Sequence, residues 1–186
     1  MKLKAVLAVI LLFSGIGFRA AAQYNIDYDI QAIRQLSFPE FINEFGNYTQ
    51  YVPGVGLLTL KLSGVKGRTN WARFSTSVAT SAILVAGASF GLKEITGRER
   101  PNGADKRSIP SGHSVLAFAS AAALHKEYGW RSPWYSIGGY SFAMLTAVQR
   151  IATNWHWMGD TMFGMVLGIG GVELGYFLND LFWKEK

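Results

Sequence analysis

Three short segments hold residue types that could act on a phosphate. The first is Lys93-Glu-Ile-Thr-Gly-Arg-Glu-Arg100-Pro101, a lysine and an arginine seven positions apart at the exit of an apolar run. Alone, it also reads as a solvated basic helix end. The second is Pro110-Ser111-Gly112-His113, directly before the Ala-rich run Ser114–Leu124. A helix beginning there gathers free backbone N–H groups and the positive end of its dipole at one point. That is an anion site as well as an ordinary cap. The third is Arg150-Ile-Ala-Thr-Asn-Trp-His156-Trp-Met-Gly-Asp160. His156 and Asp160 are four positions apart, which predicts one shared helix face. The carboxylate can take one imidazole N–H and leave the other nitrogen as a nucleophile. A structural His–Asp pair beside a snorkelling arginine would look the same. Brought together, two histidines, three cations and a helix start suit phosphoryl transfer. Cations bind the phosphoryl oxygens, one histidine attacks phosphorus, and the other protonates the leaving oxygen.

These segments can meet only if the elements between them bring them to one end of a bundle. The charges mark those elements. Nineteen uncharged residues run from Phe74 to Leu92 and eighteen from Ser132 to Gln149, each long enough to cross a hydrocarbon core of about 30 Å. Ser114–Leu124 is apolar, and Thr161–Val172 continues past Glu173 into Leu174–Phe177. Phe45–Leu60 is uncharged but interrupted by Pro53, Gly54 and Gly56, which makes it the weakest span. The runs are rich in Gly, Ala, Ser and Thr, as closely packed membrane helices are. Five spans with the mature N-terminus outside place residues 93–113 and 150–156 on one outer face. Lys61, Lys66, Arg68 and Arg73, then Lys126 and Arg131, then Lys184 and Lys186 fall on the cytoplasmic side, as the positive-inside rule requires. The outer segment Tyr24–Glu44 has a net charge of −3. The basic outer loop 93–113 breaks the rule, and a bound anion would account for it.

Upstream, Lys2 and Lys4 precede fourteen uncharged residues, Ala5–Phe18, and the small-residue run Ala20-Ala21-Ala22. This is the layout of a secretory signal peptide over residues 1–22. Cleavage before Gln23 leaves 164 residues and lowers the net charge from +6 to +3. Residues 23–48 then form a periplasmic N-terminal segment and 49–186 the domain that carries the three segments.

Composition narrows the classes. Of 186 residues, 49% are hydrophobic and 16% charged, the latter well below the roughly 25% of a soluble domain. Mean hydropathy is +0.15 and the pI is near 9.6. With 12 Phe, 8 Tyr and 6 Trp to bury, disorder is excluded, and zero Cys excludes a disulfide scaffold and thiolate metal sites. The basic residues are divided between two faces, which disfavours nucleic-acid binding.

The pattern Lys93-x6-Arg100-Pro101, Pro110-Ser-Gly-His113, Arg150-x5-His156-x3-Asp160 resembles the type 2 phosphatidic acid phosphatase superfamily, over the 68 residues Lys93–Asp160. The resemblance implies an all-α bundle of about six helices, embedded in a membrane. It implies His156 as the nucleophile that becomes a phosphohistidine, oriented by Asp160. It implies His113 as general acid and then base for water. Lys93, Arg100 and Arg150 would hold the phosphoryl oxygens with Ser111 and the Gly112 N–H. It calls for no metal or other cofactor. The family's third motif usually begins Ser-Arg, where this chain has Gln149-Arg150, and the amide of Gln149 would tune binding rather than abolish it. The acids Glu94, Glu99 and Asp105 read as loop solvation, although Glu99 could temper Arg98 or Arg100. His125 reads as interfacial, and Trp155 and Trp157 read as belt residues ahead of lipid-chain contacts. The expected activity is hydrolysis of a lipid phosphate or diphosphate of the undecaprenyl diphosphate, phosphatidylglycerophosphate, phosphatidic acid or lipid A type, in a bacterial inner membrane with the site facing the periplasm. The rivals are a soluble secreted acid phosphatase and a vanadate-dependent haloperoxidase.

Overall fold

The computed structural model describes residues 45 and 47–184. Five helices follow one another, and no strand occurs among the described residues: α1 (Val52–Leu62), α2 (Trp71–Thr96), α3 (Gly112–Tyr128), α4 (Pro133–Ala152) and α5 (Met158–Lys184). The chain is all-α, as its apolar runs and small-residue content imply. The predicted signal peptide and most of the predicted N-terminal segment lie outside the described residues.

Punctuation explains the boundaries. Pro53 sits in the first turn of α1, where a missing N–H costs nothing, so it starts that helix instead of breaking it. Gly64, at φ +77°, closes α1, with Val65 N–H bonded to the Leu60 carbonyl and Gly64 N–H to that of Lys61. The Asn70 side chain caps α2 by accepting from Arg73 N–H at 2.9 Å, and Gly97 ends it in the left-handed region. Ser132, followed by Pro133, opens α4.

Among the described residues, α2 and α5 are the helices long and apolar enough to cross a membrane. α1, with 11 residues, is about 16 Å long, roughly half a hydrocarbon core. Of the five crossings expected from the sequence, α1 alone is too short to supply one, and α3, of 17 residues, and α4, of 20, do not meet the measure that α2 and α5 meet.

Lys93 in the last turn of α2 donates to the Pro110 carbonyl just before α3, and the Ser111 N–H donates to the Asp160 carbonyl in the first turn of α5. The C-terminal ends of α2 and α4 thus meet the N-terminal ends of α3 and α5 at one end of the bundle. α3 is central, with Ala117, Ala121 and Ala122 fully buried. α5 approaches it closely through Gly164 and Gly168: a Cβ at Gly168 would lie 2.6 Å from the Val115 carbonyl, and one at Gly164 would lie 2.9 Å from that of Ser111. Gly168→Leu is expected to separate the two helices and destabilise the fold by about 1–3 kcal/mol, the usual overpacking cost. Thermal unfolding in detergent measures this directly.

The opposite end is fastened by one carboxylate. Glu127 is fully buried at the end of α3. It pairs with Lys61 at 3.1 Å and accepts from Thr69 Oγ1 at 2.7 Å and Thr69 N–H at 3.2 Å. Lys61 reads as a loop charge in the sequence. It is instead buried, because a partner 66 residues away and the Thr69 carbonyl satisfy it.

Candidate active site

A polar cavity of about 440 Å3 lies where the motif-bearing ends meet, lined by Asn47, Lys93, Arg100, Gly112, His113, Arg150, Trp155 and His156. Five side chains of the predicted site (Lys93, Arg100, His113, Arg150 and His156) therefore face one space, together with Gly112. Each is held by its own local structure. Lys93, in the last turn of α2, donates to the carbonyls of Pro110 at 2.7 Å and Arg107 at 3.0 Å, which ties α2 to the Pro-Ser-Gly turn. Arg150, at the end of α4, donates to Asn47 Oδ1 at 3.2 Å. Arg100 donates through Nε to Asp105 at 2.7 Å, and that bond holds the Asp105 carboxyl below its usual range.

His156 is only 3% exposed. Its Nε2 lies 3.1 Å from Arg100 Nη1. Arginine can only donate, so in the neutral ring Nε2 is the acceptor and Nδ1 carries the proton. Nδ1 faces Asp160 Oδ2 at 3.6 Å and Ser108 Oγ at 3.5 Å. Burial pushes the imidazole below its ordinary pKa, while Asp160 pulls it up and the Arg100 and Arg150 charges push it further down. The ring therefore stays neutral, with its Nε2 lone pair unprotonated, to lower pH than an exposed histidine does.

Asp160 is fully buried and does not line the cavity. Its Oδ1 accepts from Arg98 at 2.8 Å. Its Oδ2 takes the Ser108 hydroxyl and the Trp157 N–H, the latter at 3.0 Å. The predicted shared helix face is not formed, because α5 begins at Met158 and His156 lies in the preceding loop. The Asp160 carboxylate caps the Trp157 N–H and so ends the helix before it reaches His156.

Ser111 departs from its predicted place. Its side chain is fully buried as the cap of α3, 3.1 Å from Ser114 Oγ, and its N–H donates to the Asp160 carbonyl at 3.0 Å. The hydroxyl is used inside the protein rather than in the cavity. Gln149 is buried and likewise does not line the cavity. The two tryptophans are scaffolding more than belt: Arg100 and Arg150 lie over the Trp155 ring at 5.5 and 5.2 Å. Arg98 lies over Trp157 at 5.5 Å, and the Trp157 Nε1–H donates to the Glu99 carbonyl at 2.8 Å. Two of the loop acids do more than solvate, since Asp105 holds Arg100 and Glu94 pairs with Arg107. Glu99 contributes its carbonyl to Trp157, and the acid beside Arg98 is Asp160. His125 lies at the far end of α3, 2.7 Å from Ser136 Oγ.

Sequence reasoning passed over Ser108 and Arg98, whose contacts with Asp160 appear only once the 93–113 loop folds back on α5. Asn47, which lines the cavity from before α1, was also missed, and no spacing rule flags it. Ser108→Ala is expected to lower kcat up to about tenfold, the value of one buried hydrogen bond, with little change in KM. Steady-state phosphate release gives both constants.

A second cavity, apolar and of about 770 Å3, runs between α1, α2 and α3 and includes Leu58, Phe74, Val85, Phe90 and Leu116. Gly112 lines both cavities, so the two adjoin at the start of α3.

Comparison with known proteins agrees with this arrangement. The PAP2 superfamily model matches residues 71–180. The lipid A 1-phosphatase of Porphyromonas gingivalis is 39% identical over 163 residues, covering 87% of this chain and 37% of that protein. The lipid A 4'-phosphatase of Helicobacter pylori is 23% identical over 141 residues, covering 69% of this chain and 66% of that protein. The chain thus spans little more than a third of the first relative and about two thirds of the second. In fold, the chain is similar to the crystal structure of Aquifex aeolicus LpxE, with a TM-score of 0.61 at 19% identity, over 78% of this chain and 91% of that one. It is also similar to a transmembrane PAP2 type phosphatidylglycerolphosphate phosphatase from Bacillus subtilis, with a TM-score of 0.56 at 20% identity, over 98% and 96% of the two chains. Matched by the family model across four of the five described helices, this chain belongs to the PAP2 superfamily.

Proposed function

We propose that the chain is a bacterial inner-membrane phosphatase that removes phosphate from a lipid monoester or diphosphate on the periplasmic side, after loss of the signal peptide at 1–22. The observation that carries this reading is the junction at Gly112 of a cationic cavity and an apolar one. A phosphate fits the first and an acyl or prenyl chain fits the second. In the free enzyme Arg100 occupies the His156 lone pair, and an arriving phosphoryl group would draw it away onto its own oxygens. Lys93, Arg150 and the N–H groups of α3's first turn would then hold the remaining oxygens.

His156 Nε2 attacks phosphorus, the P–O bond to the lipid breaks, and His113, in the imidazolium form that a bound phosphate anion favours, gives its proton to the leaving oxygen. His113 then takes a proton from water, which attacks phosphorus and releases phosphate with neutral His156. Asp160 offsets the charge on the imidazolium form between the two steps. The scheme uses no metal, so phosphate release is expected to be unchanged by EDTA. Loss of activity that zinc or magnesium restores would reject it.

The test is phosphate release by the purified protein across a lipid panel that includes lipid A 1- and 4'-phosphates, phosphatidic acid, phosphatidylglycerophosphate and undecaprenyl diphosphate. The lipid A relatives put those substrates first. At least one lipid should exceed p-nitrophenyl phosphate in kcat/KM by about tenfold or more, because chain methylenes are buried on binding. Equal turnover of the soluble ester, with the protein leaving the membrane without detergent, would favour the secreted acid phosphatase instead.

A further inference from the structure

At the end of the bundle away from the catalytic cavity, a third pocket of about 740 Å3 opens between the α1–α2 loop and the α3–α4 turn. Lys66, Arg68, His125, Lys126 and Trp130 line it with two glycines, and none of the described lining residues is a carboxylate. Arg131 adjoins it, donating to the Lys66 carbonyl at 3.3 Å with its guanidinium over Trp130 at 5.3 Å.

The nearby acids do not cancel this charge. Glu127 is turned inward to Lys61 and Thr69. Glu173 pairs with Lys126, and Asp180 is shared between Arg68, at 3.7 Å, and Arg73. Five cations thus face two available carboxylates, and among the described residues Lys66 has no carboxylate within ion-pair distance. The walls are also set before any ligand arrives. The Arg68 N–H donates to the Glu127 carbonyl at 3.0 Å, and Tyr128 Oη donates to the Val65 carbonyl at 3.0 Å.

We infer that this pocket binds the phosphodiester head group of an anionic bilayer lipid, from the leaflet opposite the active site. An arginine fork and lysine ammoniums are the groups that hold phosphate oxygens. Basic pockets between helices at the cytoplasmic face suit such head groups. The surroundings favour a lipid over a free ion: Trp130 is 60% exposed at the rim, with Trp134 at 73% and Leu62 at 75% beside the same end. Exposed tryptophans at that level sit among head groups, and the apolar surface next to them takes the chains. This inference goes beyond the catalytic reading, and turnover and lipid retention report on the two pockets separately.

The test uses the full chain in phosphatidylcholine nanodiscs with and without phosphatidylglycerol, a diester that has no terminal phosphate to hydrolyse. In the wild type, phosphatidylglycerol should raise the unfolding midpoint and stay bound in native mass spectra. Lys66→Glu should reduce the retained lipid by more than about fivefold, the value of one interfacial charge. Lys66→Arg should retain it, and both variants should release phosphate at the wild-type rate. Equal retention by Lys66→Glu would overturn the assignment. So would equal stabilisation of the wild type by inorganic phosphate in phosphatidylcholine alone, which would make the pocket a free-phosphate site.

Discussion

His156→Ala is expected to lower phosphate release on the order of 10^4-fold or more, as loss of a covalent nucleophile does. The size of the effect follows from the cavity. His156 and His113 are its two neutral nucleophilic side chains, and the remaining polar side chains are cations and Asn47. His113 belongs to α3, whereas the Nε2 of His156 already lies 3.1 Å from the Arg100 that would meet a phosphoryl oxygen. Labelled lipid phosphate should give an acid-labile, base-stable phosphoprotein in the wild type and none in the variant. The variant should still enter the membrane and unfold near the wild-type midpoint. Retained turnover, or a phosphoprotein that persists, would reject His156 as the nucleophile.

Asp160→Asn should be nearly as damaging for a different reason. The amide keeps the shape and can still accept from Arg98, but it removes the charge that steadies the imidazolium form. kcat is expected to fall on the order of 10^4-fold, the scale seen when the acid behind a catalytic histidine is neutralised. KM should change little, because Asp160 lies outside the cavity. The pH profile separates a positioning role from a structural one. Asp160 raises the proton affinity of His156, so its loss lowers that affinity and moves the acid limb of kcat to lower pH. A variant that loses activity through misfolding would show a lower amplitude with the limb unmoved.

Much of the fold was legible because membrane helices announce themselves as gaps between charges. The 74–92 gap became α2, extended by about a turn at each end, and the 132–149 gap became α4, extended at its C-terminal end only, to Ala152. The three segments proposed to carry the chemistry were legible because phosphate binding calls for cations and a helix start, and those residue types stood close together in each segment. What escaped depended on contacts across the chain. Ser108 and Arg98 matter through a carboxylate more than fifty residues away. Lys61 looked like a loop cation because its partner, Glu127, lies in another helix. Ser111 and the His156–Asp160 pair were misplaced for a local reason, since a capping bond competes with the role that spacing suggests. The Ser111 hydroxyl went to the start of α3, and the Asp160 carboxylate went to the Trp157 N–H.

The backbone bond between Ser111 N–H and the Asp160 carbonyl joins the start of α3 to the start of α5. Two helix dipoles therefore point their positive ends toward the same corner, a contribution made by peptide groups that no side-chain replacement can delete. Neutralising one cation at a time should leave much of the attraction for oxyanions in place. The pocket is buffered against mutation in its grip on charge, but not in its chemistry. A lineage drifting away from catalysis could lose His156 and still keep a serviceable anion receptor.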